Sequence, residues 1–597
     1  MSERRRKWFR VLALVGVPLA LLLAAEGVLR LTGYGYSTCF FLTRKLDGRA
    51  VWTDNPDFGR RFFPPGLERR AQPFVLPSTK STNTLRIFVL GESAAMGDPD
   101  LKFGLPRMLE VLLRERFPER RVEVVNEAMV AINSHIVLPI ARDSVAKKAD
   151  LWVVYMGNNE MVGPYGSASV FGARVPALPV VHAGLRLKQT RVGQVLDAGL
   201  HRLRRAGRSR PEWTGMELMA EQKVRYNSPE TQRVYEHFRQ NLNQVLATAT
   251  RAGVPVILCT VASNLKDCSP FASLHRSDLT DQELSEWQKA YDTGRGLQDA
   301  GNALRAKVAY ETALRIDAEF ADLSFRLGEC SRLLGKDTEA AAFFEKARDH
   351  DALQFRADSR LNDLIRQAAL TFAGRGVSLV DTEQVLATNS PEGLTGSEFF
   401  YEHVHLRPEG NYLLAFAVAE ASAQALALRA PKPWASLPEC LRLVGLTDWN
   451  RYDALNTVID RMQRAPFTAQ LYHERQMERL NEQFSRYRPA TKPAQARAEA
   501  AQVAEQVARF PEDPDLRWNL AVLLESSGDT AGAETHWRVL QQLQPFSALP
   551  AFNLAKLLEG NGRQSQATAL YHEALRLDPG NALAREQLKS VPPSGLK

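Results

Sequence analysis

The stretch FVLGESAAMG, residues 88–97, decides how the central part of this chain is expected to fold. An apolar run ends at Gly91, and Ser93 follows with two alanines, so a buried strand is predicted to pass directly into a helix. In open α/β sheets the carboxyl ends of the strands carry the binding and reactive groups. A serine at this point is also an ordinary helix cap, and both interpretations fit this stretch on its own.

Similar short apolar runs recur along the chain and alternate with longer helical patterns. Five of them are predicted to be strands, at 87–90, 122–125, 151–155, 254–260 and 377–380. Strands that alternate with helices are typical of a parallel sheet covered by helices. The predicted fold class is α/β, a three-layer domain with a central parallel sheet. All-α repeats and an N-terminal transmembrane helix are predicted to be joined to it.

Two regions of the chain repeat with a period of 34 residues. Gly294, Ala306, Tyr310 and Ala313 recur as Gly328, Ala340, Phe344 and Ala347, and Leu520, Ala521, Ala533 and Trp537 recur as Leu554, Ala555, Ala567 and Tyr571. This period and these small and aromatic positions are typical of tetratricopeptide repeats, in which small residues let paired helices approach closely. Proteins are the partners expected for such repeats.

The amino-terminal segment combines a basic flank with an apolar run. Arg4, Arg5, Arg6 and Lys7 precede residues 11–29, which can just span a membrane core of about 30 Å. Because basic flanks stay on the cytoplasmic side, the rest of the chain is predicted to be extracytoplasmic, in a bacterial periplasm. A cleaved signal peptide is the alternative, but the run has no clear cleavage site of small residues.

Composition limits the possible classes of protein. Of 597 residues, 45% are hydrophobic and 24% are charged, as in ordinary globular proteins. A net charge of +8 is small for this length, so nucleic acid is not predicted as a partner. Five cysteines without a CxxC pair argue against a disulfide scaffold and a structural zinc site. Cys259 and Cys268 are either buried thiols or a disulfide.

A second stretch with candidate chemistry is LWVVYMGNNE, residues 151–160. It reads as a strand that ends in Gly157, Asn159 and Glu160. An asparagine amide at this point can donate to a developing oxyanion, and the glycine lets the backbone come close. The alternative is a polar turn between a strand and a loop.

The third stretch is YEHVHL, residues 401–406, in which Glu402 stands three residues before His405. This spacing lets the carboxylate orient the imidazole while the other ring nitrogen faces a nucleophile. His403 lacks such a partner and is interpreted as structural. Metal binding by Glu402, His403 and His405 is the less favoured alternative, because no HExxH helix accompanies them. Neither a metal nor another cofactor is predicted.

In their order along the chain, these three stretches resemble the SGNH (GDSL-type) hydrolase superfamily. The resemblance implies Ser93 as nucleophile, His405 as general base and Glu402 as its carboxylate partner. It also implies an oxyanion hole formed by Ser93, Ala131 and Asn159. Residues that support the site are Gly91, Gly157 and Glu160. The amide of Ala131 is the least direct match, because the family has a glycine there.

The same resemblance implies a function. It is that of a serine esterase or O-acyltransferase that acts through an acyl-enzyme on an ester, such as acylated carbohydrate of the envelope. GES in place of GDS, GNNE in place of GxND and Glu402 in place of aspartate mark a divergent branch. The alternative is a non-catalytic, membrane-tethered scaffold, whose degenerate SGNH domain binds glycan or protein and whose repeats bind proteins.

These patterns divide the chain into predicted segments. They are a transmembrane signal anchor at 9–31, a linker at 33–84, the SGNH-like domain at 85–265 with a basic helical insertion at 166–225, a tetratricopeptide insertion at 281–352, the second part of the SGNH-like domain at 357–430, a helical connector at 431–494 and C-terminal repeats at 495–590. The basic insertion includes a predicted amphipathic helix between Gly184 and Arg210, which is either solvated or in contact with a membrane surface or an anionic glycan.

Overall fold

The computed structural model describes residue 8 and residues 12–172, 174–204, 213–429 and 432–590. Some residues named above lie outside this part of the chain: Arg4, Arg5, Arg6, Lys7 and Arg210. The basic flank of the predicted anchor and the end of the predicted basic helix therefore have no structural description.

Among the described residues, eight strands form two sheets. They are β1 (Phe41–Leu46), β2 (Arg49–Asp54), β3 (Val75–Pro77), β4 (Thr84–Gly91), β5 (Arg121–Asn126), β6 (Leu151–Tyr155), β7 (Val256–Cys259) and β8 (Val377–Val380). The first three form an antiparallel sheet, and the other five form a parallel sheet in the order β5-β4-β6-β7-β8. The predicted parallel sheet is present, and it is small.

Helices make up most of the remaining structure. Those outside the repeats are α1 (Val17–Leu31), α2 (Ser93–Met96), α3 (Leu105–Arg116), α4 (Ser134–Ser144), α5 (Leu178–Leu187), α6 (Arg191–Arg204), α7 (Pro229–Arg251), α12 (Ser359–Phe372), α13 (Thr382–Asn389), α14 (Pro408–Ala425), α15 (Leu437–Leu443), α16 (Asp448–Met462) and α17 (His473–Tyr487). Strands β4 and β6 are buried along their whole length, because helices cover both faces of the parallel sheet.

The repeats fold as helical hairpins in two separate places. The inserted repeats are α8 (Asp281–Asp299), α9 (Ala303–Ile316), α10 (Ala321–Leu333) and α11 (Asp337–Asp349). The C-terminal repeats are α18 (Pro493–Arg509), α19 (Pro514–Ser526), α20 (Thr530–Leu543), α21 (Ala548–Gly560), α22 (Gln564–Leu577) and α23 (Ala582–Ser590). A Cβ on Gly294 would lie 2.4 Å from the Tyr310 ring, so the repeated glycine is needed where the two helices touch. The predicted tetratricopeptide repeats are confirmed.

The segment treated above as a linker, 33–84, contains the antiparallel sheet. Its residues Phe40, Phe58, Phe62 and Phe63 are buried in the main core. The β1–β2 turn is Asp47-Gly48, and both residues have positive φ angles, of 49° and 76°. An Asp-Gly turn of this kind closes a two-residue hairpin, so a local signal for this sheet is present in the sequence.

The N-terminal helix has the length and composition of a membrane span. Residues Ala13–Leu31 form 19 residues with a mean hydropathy of 1.9, and none of this stretch is buried in the protein. It is the one helix in the described part of the chain that is long and apolar enough to cross a membrane. Cys259 and Cys268 are both buried free thiols, so the disulfide alternative is not formed.

Candidate functional site

Ser93 lies at the carboxyl end of β4, where the strand passes into α2. At this point β4 runs beside β6, with Gly91 in register with Tyr155. A Cβ on Gly91 would lie 2.1 Å from the Tyr155 carbonyl oxygen, so only glycine fits here. The backbone therefore fixes where the Ser93 hydroxyl lies, and the side chain is 7% exposed.

The structure brings three predicted site residues together from opposite parts of the sequence. The Ser93 Oγ lies 2.9 Å from His405 Nε2, and His405 Nδ1 is hydrogen-bonded to Glu402 Oε1. His405 and Glu402 are also buried, and the backbone amide of Val404 donates to the Glu402 carboxylate at 3.2 Å. The adjacent charges of His405 and His403 outweigh burial and hold the pKa of Glu402 well below its usual range.

Asp98 and Arg461 complete this cluster, and sequence reasoning missed both. Asp98 Oδ2 lies 3.1 Å from His405 Nε2, the same nitrogen that faces Ser93. Arg461, on α16, places Nη1 2.8 Å from Asp98 Oδ2 and 3.2 Å from Glu402 Oε1. Burial disfavours ionised Asp98, but His405 and Arg461 outweigh it and keep the pKa of Asp98 below its usual value. Asp98 is therefore an ionised acceptor.

Ser93 and Asp98, the two neighbours of His405 Nε2, require different protonation states of this nitrogen. To accept the Ser93 proton, this nitrogen must carry no hydrogen, whereas a hydrogen bond to the Asp98 carboxylate requires one. Arg461 Nη1 also lies 3.1 Å from His405 Nδ1. In a catalytic triad, this nitrogen would be hydrogen-bonded to the Glu402 carboxylate alone. The arrangement can therefore polarise the serine hydroxyl, but it also holds the imidazole in an ion-pair network that a serine base does not need.

The predicted oxyanion donors are held by strained or unusual backbone. Ala131 has a φ of 58°, in the left-handed region that favours glycine, so the alanine keeps the glycine conformation at a cost. The Asn159 Nδ2 is buried and has no hydrogen-bond partner among the described residues. The amides of Gly157 and Asn159 each donate to the Glu92 carboxylate at 3.1 Å. Glu92 thus joins the serine turn to the asparagine loop.

Glu160, one of the supporting residues, braces the next turn. Its carboxylate accepts the backbone amide of Ser134 at 2.7 Å and the Ser134 hydroxyl at 2.8 Å. Burial raises the pKa of Glu160 to about 7, although the hydrogen bonds from Ser134 oppose the rise. Burial and the nearby Glu160 raise the pKa of Glu92 well above its usual value. The Glu160 carboxyl is therefore favoured in its protonated form below neutral pH.

His403 lies beside the cluster in aromatic surroundings. Its ring packs edge-on against Phe271, and it is buried. Glu402, His403 and His405 place ligand-type atoms within 4.8 Å of one another. Because the Arg461 guanidinium already lies 3.2 Å from Glu402 Oε1, a metal cation there would meet a positive charge. The geometry does not favour a metal at these residues.

Solvent reaches part of this cluster, since the side chains of Asp98 and Arg461 are 17% and 26% exposed. A cavity of about 10 Å³ lies next to it, lined by residues that include Gly97, Tyr401 and Leu406. This is about the room that one water molecule occupies. The five members of the cluster, Ser93, Asp98, Glu402, His405 and Arg461, do not line this cavity.

No protein-family model matches this chain, and no curated protein matches it. Among solved structures, it is similar to YrrB, a TPR protein with an unusual peptide-binding site (12% identity, 52% of this chain and 94% of that chain, TM-score 0.16). It is also similar to TTC0263, a TPR protein of Thermus thermophilus (12%, 51% and 97%, TM-score 0.17), and to the TPR2AB domain of yeast Sti1 in a pHSP90 complex (11%, 51% and 95%, TM-score 0.14). Likeness of this size carries no statement about what this chain binds.

The prediction that the chain is an SGNH-type ester hydrolase or O-acyltransferase is wrong, because the similar solved structures are tetratricopeptide proteins and none of the three is named as a hydrolase. In the structure, Asp98 and Arg461 also lie within hydrogen-bonding distance of the His405 ring nitrogens. The described part of the chain contains two sets of helical repeats and a small parallel sheet.

Proposed function

We propose that this chain is a membrane-tethered tetratricopeptide scaffold that binds an extended segment of a partner protein without chemical turnover. The observation that carries the proposal is a cavity of about 780 Å³ between the C-terminal repeats and the α/β domain, which we call the junction cavity. Its volume lies within the roughly 300–1,000 Å³ of most ligand pockets.

One wall of the junction cavity is an open sheet edge. Strand β5 is the outermost strand of the parallel sheet, and it pairs with β4 on one side only. The amides of Arg121 and Glu127 point toward β4, where they bond to backbone carbonyls. Because successive residues of a strand point their amides to opposite sides, those of Val122 and Val124 face the cavity. An extended peptide can add to such an edge through main-chain hydrogen bonds.

The opposite walls come from β3 and from the start of the C-terminal repeats. Residues Phe510 to Asp515 line the cavity, together with Leu543 and Gln544 at the end of α20. Arg107 of α3 forms a buried ion pair with Asp513, with Nη2 2.6 Å from Oδ2, and Arg114 lies 3.1 Å from the same oxygen. These contacts fix the repeats against the α/β domain, so the cavity is preformed and a ligand need not order it.

The lining favours recognition of a peptide backbone over recognition of charge. Lining residues carry both signs, because they include Arg120 and Arg121 as well as Glu110, Glu123 and Glu512. Apolar contacts come from Val122, Val124 and Leu76, which suit alternate side chains of an added strand. We assign partner binding to this surface for that reason.

The polar cluster around Ser93 has a different role in this proposal. Ser93, His405 and Glu402, with Asp98 and Arg461, form a polar network that fixes α16 against the carboxyl edge of the sheet. Support comes from the ion pairs of Arg461 with Asp98 and Glu402, because both link α16 to the α/β domain. Ala131 and Asn159 belong to the same turn region, and they are proposed to hold the loops there.

The apolar helix Ala13–Leu31 is proposed to anchor the scaffold in a membrane, with the rest of the chain on the extracytoplasmic side. The length and hydropathy of this helix support the anchor, and the basic residues before it support the orientation. A scaffold of this kind would present the junction cavity to proteins near the outer surface of that membrane.

A displayed library of random short peptides tests the peptide-binding proposal. Peptides are selected on the full-length protein in detergent, and their affinity is then measured for Val124→Pro. Proline removes the outward amide of Val124 and is tolerated at a sheet edge, so the fold should persist while affinity falls about tenfold or more. Bound peptide should also slow hydrogen exchange at Val122 and Val124.

The matched control is Val308→Thr, on the exposed face of the inserted repeats, which should leave the affinity unchanged. Selection that enriches no peptide would contradict the proposal. So would enriched peptides that bind Val124→Pro as tightly as the natural chain.

A further inference from the structure

Helix α6 begins beside the outer end of the apolar N-terminal helix. The carboxylate of Glu26 accepts the backbone amide of Val192 at 3.0 Å, which joins the first turn of α6 to α1. Gln194 makes two further contacts with the chain just beyond α1: it accepts the amide of Tyr36 at 3.0 Å and donates to its carbonyl at 3.1 Å. Helix α6 therefore has a fixed place at the end of the proposed anchor.

The depth of this contact follows from helix geometry. Glu26 stands five residues before Leu31, the last residue of α1, which is about 7 Å at a rise of 1.5 Å per residue. If Ala13–Leu31 spans a bilayer, the start of α6 lies at the boundary between headgroups and acyl chains. Amphipathic helices that lie on membranes bury their apolar face about 5–10 Å into this boundary.

One face of α6 is apolar and exposed. Leu196, Leu200 and Leu203 follow one another at spacings of four and three residues, so they share a face of the helix. Their exposed fractions are 57%, 45% and 79%. The preceding helix α5 adds Val180 and Leu187, which are exposed as well. A cluster of exposed apolar side chains of this size is unfavourable in water and indicates a contact surface.

Basic side chains flank this apolar face. Arg186 and Arg202 are exposed, and neither forms an ion pair with another described residue. Lys188 is paired with Asp197 at 3.0 Å, whereas Arg186 and Arg202 have no acidic partner among the described residues. Juxtamembrane Lys and Arg residues are attracted to anionic lipid headgroups.

We infer that α6 lies on the surface of the membrane that the N-terminal helix spans, with Leu196, Leu200 and Leu203 among the acyl chains and Arg186 and Arg202 at anionic phospholipid headgroups. A lipid surface is the occupant that fits, because the apolar face continues from an apolar helix and is bordered by unpaired positive charge. This inference rests on the proposed anchor. It adds a second membrane contact, which would orient the α/β domain and the junction cavity relative to the bilayer.

Fluorescence quenching in vesicles tests the inference on the full-length chain. Cys39 is the exposed cysteine among the described residues, so Cys39→Ser is the background into which single cysteines are introduced. An environment-sensitive nitrobenzoxadiazole label is attached at Leu200→Cys, and the protein is reconstituted into phosphatidylcholine and phosphatidylglycerol vesicles that contain a spin-labelled lipid. We expect a blue-shifted emission at this site and quenching several-fold above that of a label at Val308→Cys, on the inserted repeats.

A label at Leu21→Cys separates the two proposals. Quenching at Leu21→Cys without quenching at Leu200→Cys would overturn the inference and leave the anchor in place. Absence of quenching at Leu21→Cys would remove the anchor and, with it, this inference. Vesicles of phosphatidylcholine alone should lower the signal at Leu200→Cys, and an equal signal in both vesicle types would overturn the role assigned to the arginines.

Discussion

The two sets of repeats differ in what lies against them, although their sequence periods are the same. Against the inserted repeats packs a segment of the chain itself: Leu471 and Tyr472 contact the cluster that includes Phe325 and Phe344. The Tyr472 hydroxyl accepts a hydrogen bond from Gln298 Nε2 at 3.0 Å. Against the C-terminal repeats lies the junction cavity of about 780 Å³. Another segment of the chain therefore covers the inserted repeats, whereas the C-terminal repeats adjoin an open cavity.

The segment from Arg461 to Tyr472 contacts two other regions of the molecule. Arg461, at the end of α16, reaches the cluster around Ser93 and His405, and ten residues later the chain packs against the inserted repeats. Gln470 and Leu471 are held in between, because the Gln470 side chain donates to the Ser269 carbonyl at 2.6 Å and the Ser269 hydroxyl donates to the Leu471 carbonyl at 3.1 Å. Repeat motifs alone do not indicate which surface is free, since a distant segment can occupy it.

The largest expected effect concerns the open side. Arg107→Met leaves Asp513 buried with Arg114 as its remaining partner, and breaking a buried pair in this way costs about 3–5 kcal/mol. We expect the free energy of unfolding to fall by about 3 kcal/mol, and hydrogen exchange in α19 to become faster. Urea unfolding and exchange mass spectrometry measure both effects.

The control for this change is Arg509→Met, which breaks the more exposed ion pair with Glu115. Pairs of that kind contribute about 0–1 kcal/mol, so its effect should be small. Equal effects of the two substitutions would mean that the Arg107 pair does not hold the repeats in place, and that the cavity is not preformed by it.

A smaller effect is expected on the filled side. Tyr472→Ala removes the aromatic ring and the Gln298 hydrogen bond, and partly buried contacts of this size are worth about 1–2 kcal/mol. Exchange in α10 should become faster, because Phe325 loses a neighbouring ring. Tyr34→Ala, at an exposed tyrosine, is the control and should change little. Unchanged exchange in α10 would mean that Tyr472 does not close the inserted repeats.

The sequence predicted those features that depend on local pattern. Apolar runs located the parallel sheet, and the 34-residue spacing located both sets of repeats, because a fixed repeat needs fixed small and aromatic positions. The prediction of a linker at 33–84 misses the antiparallel sheet, although the Asp47-Gly48 turn is a readable signal for a hairpin. Local pattern is sufficient where one element forms its own contacts.

The candidate site shows which contacts the local sequence pattern does not predict. The spacing of Glu402 and His405 indicated their hydrogen bond, and the structure brings both to Ser93. Asp98, only five residues after Ser93, and Arg461, on a helix without any motif, could not be assigned to the site from spacing. Contacts between residues hundreds of positions apart depend on the whole fold, and here they decide what His405 can do.

A smaller effect concerns the pH dependence of stability. The pKa of Glu160 is raised by burial to about 7 in the folded chain, so the folded state binds this proton more tightly than the unfolded state. Stability from this group is therefore fully present below the ordinary glutamate pKa and is lost as pH rises toward 7 and above. The Tm should fall between pH 5 and pH 8, and Glu160→Gln should reduce that fall.

Glu478→Gln, on the exposed surface of α17, is the matched control and should leave the pH profile unchanged. A wild-type Tm that rises over this range, or a profile that Glu160→Gln does not alter, would contradict the assignment. Since Glu92 lies beside Glu160 and is raised in the same direction, Glu92→Gln should act like Glu160→Gln.

The smallest expected effect concerns the reactivity of Ser93 as a nucleophile, which we expect to be absent. This prediction tests whether the polar network around Ser93 prevents His405 from acting as a base. A fluorophosphonate probe forms a bond with serines that a neighbouring base activates. Here the Ser93 oxygen has a histidine 2.9 Å away, but Asp98 and Arg461 engage the same imidazole. We expect labelling of the natural chain no stronger than that of Ser93→Ala and His405→Ala. Labelling that both substitutions abolish would show that His405 is free to act as a base, and would return ester chemistry to this site.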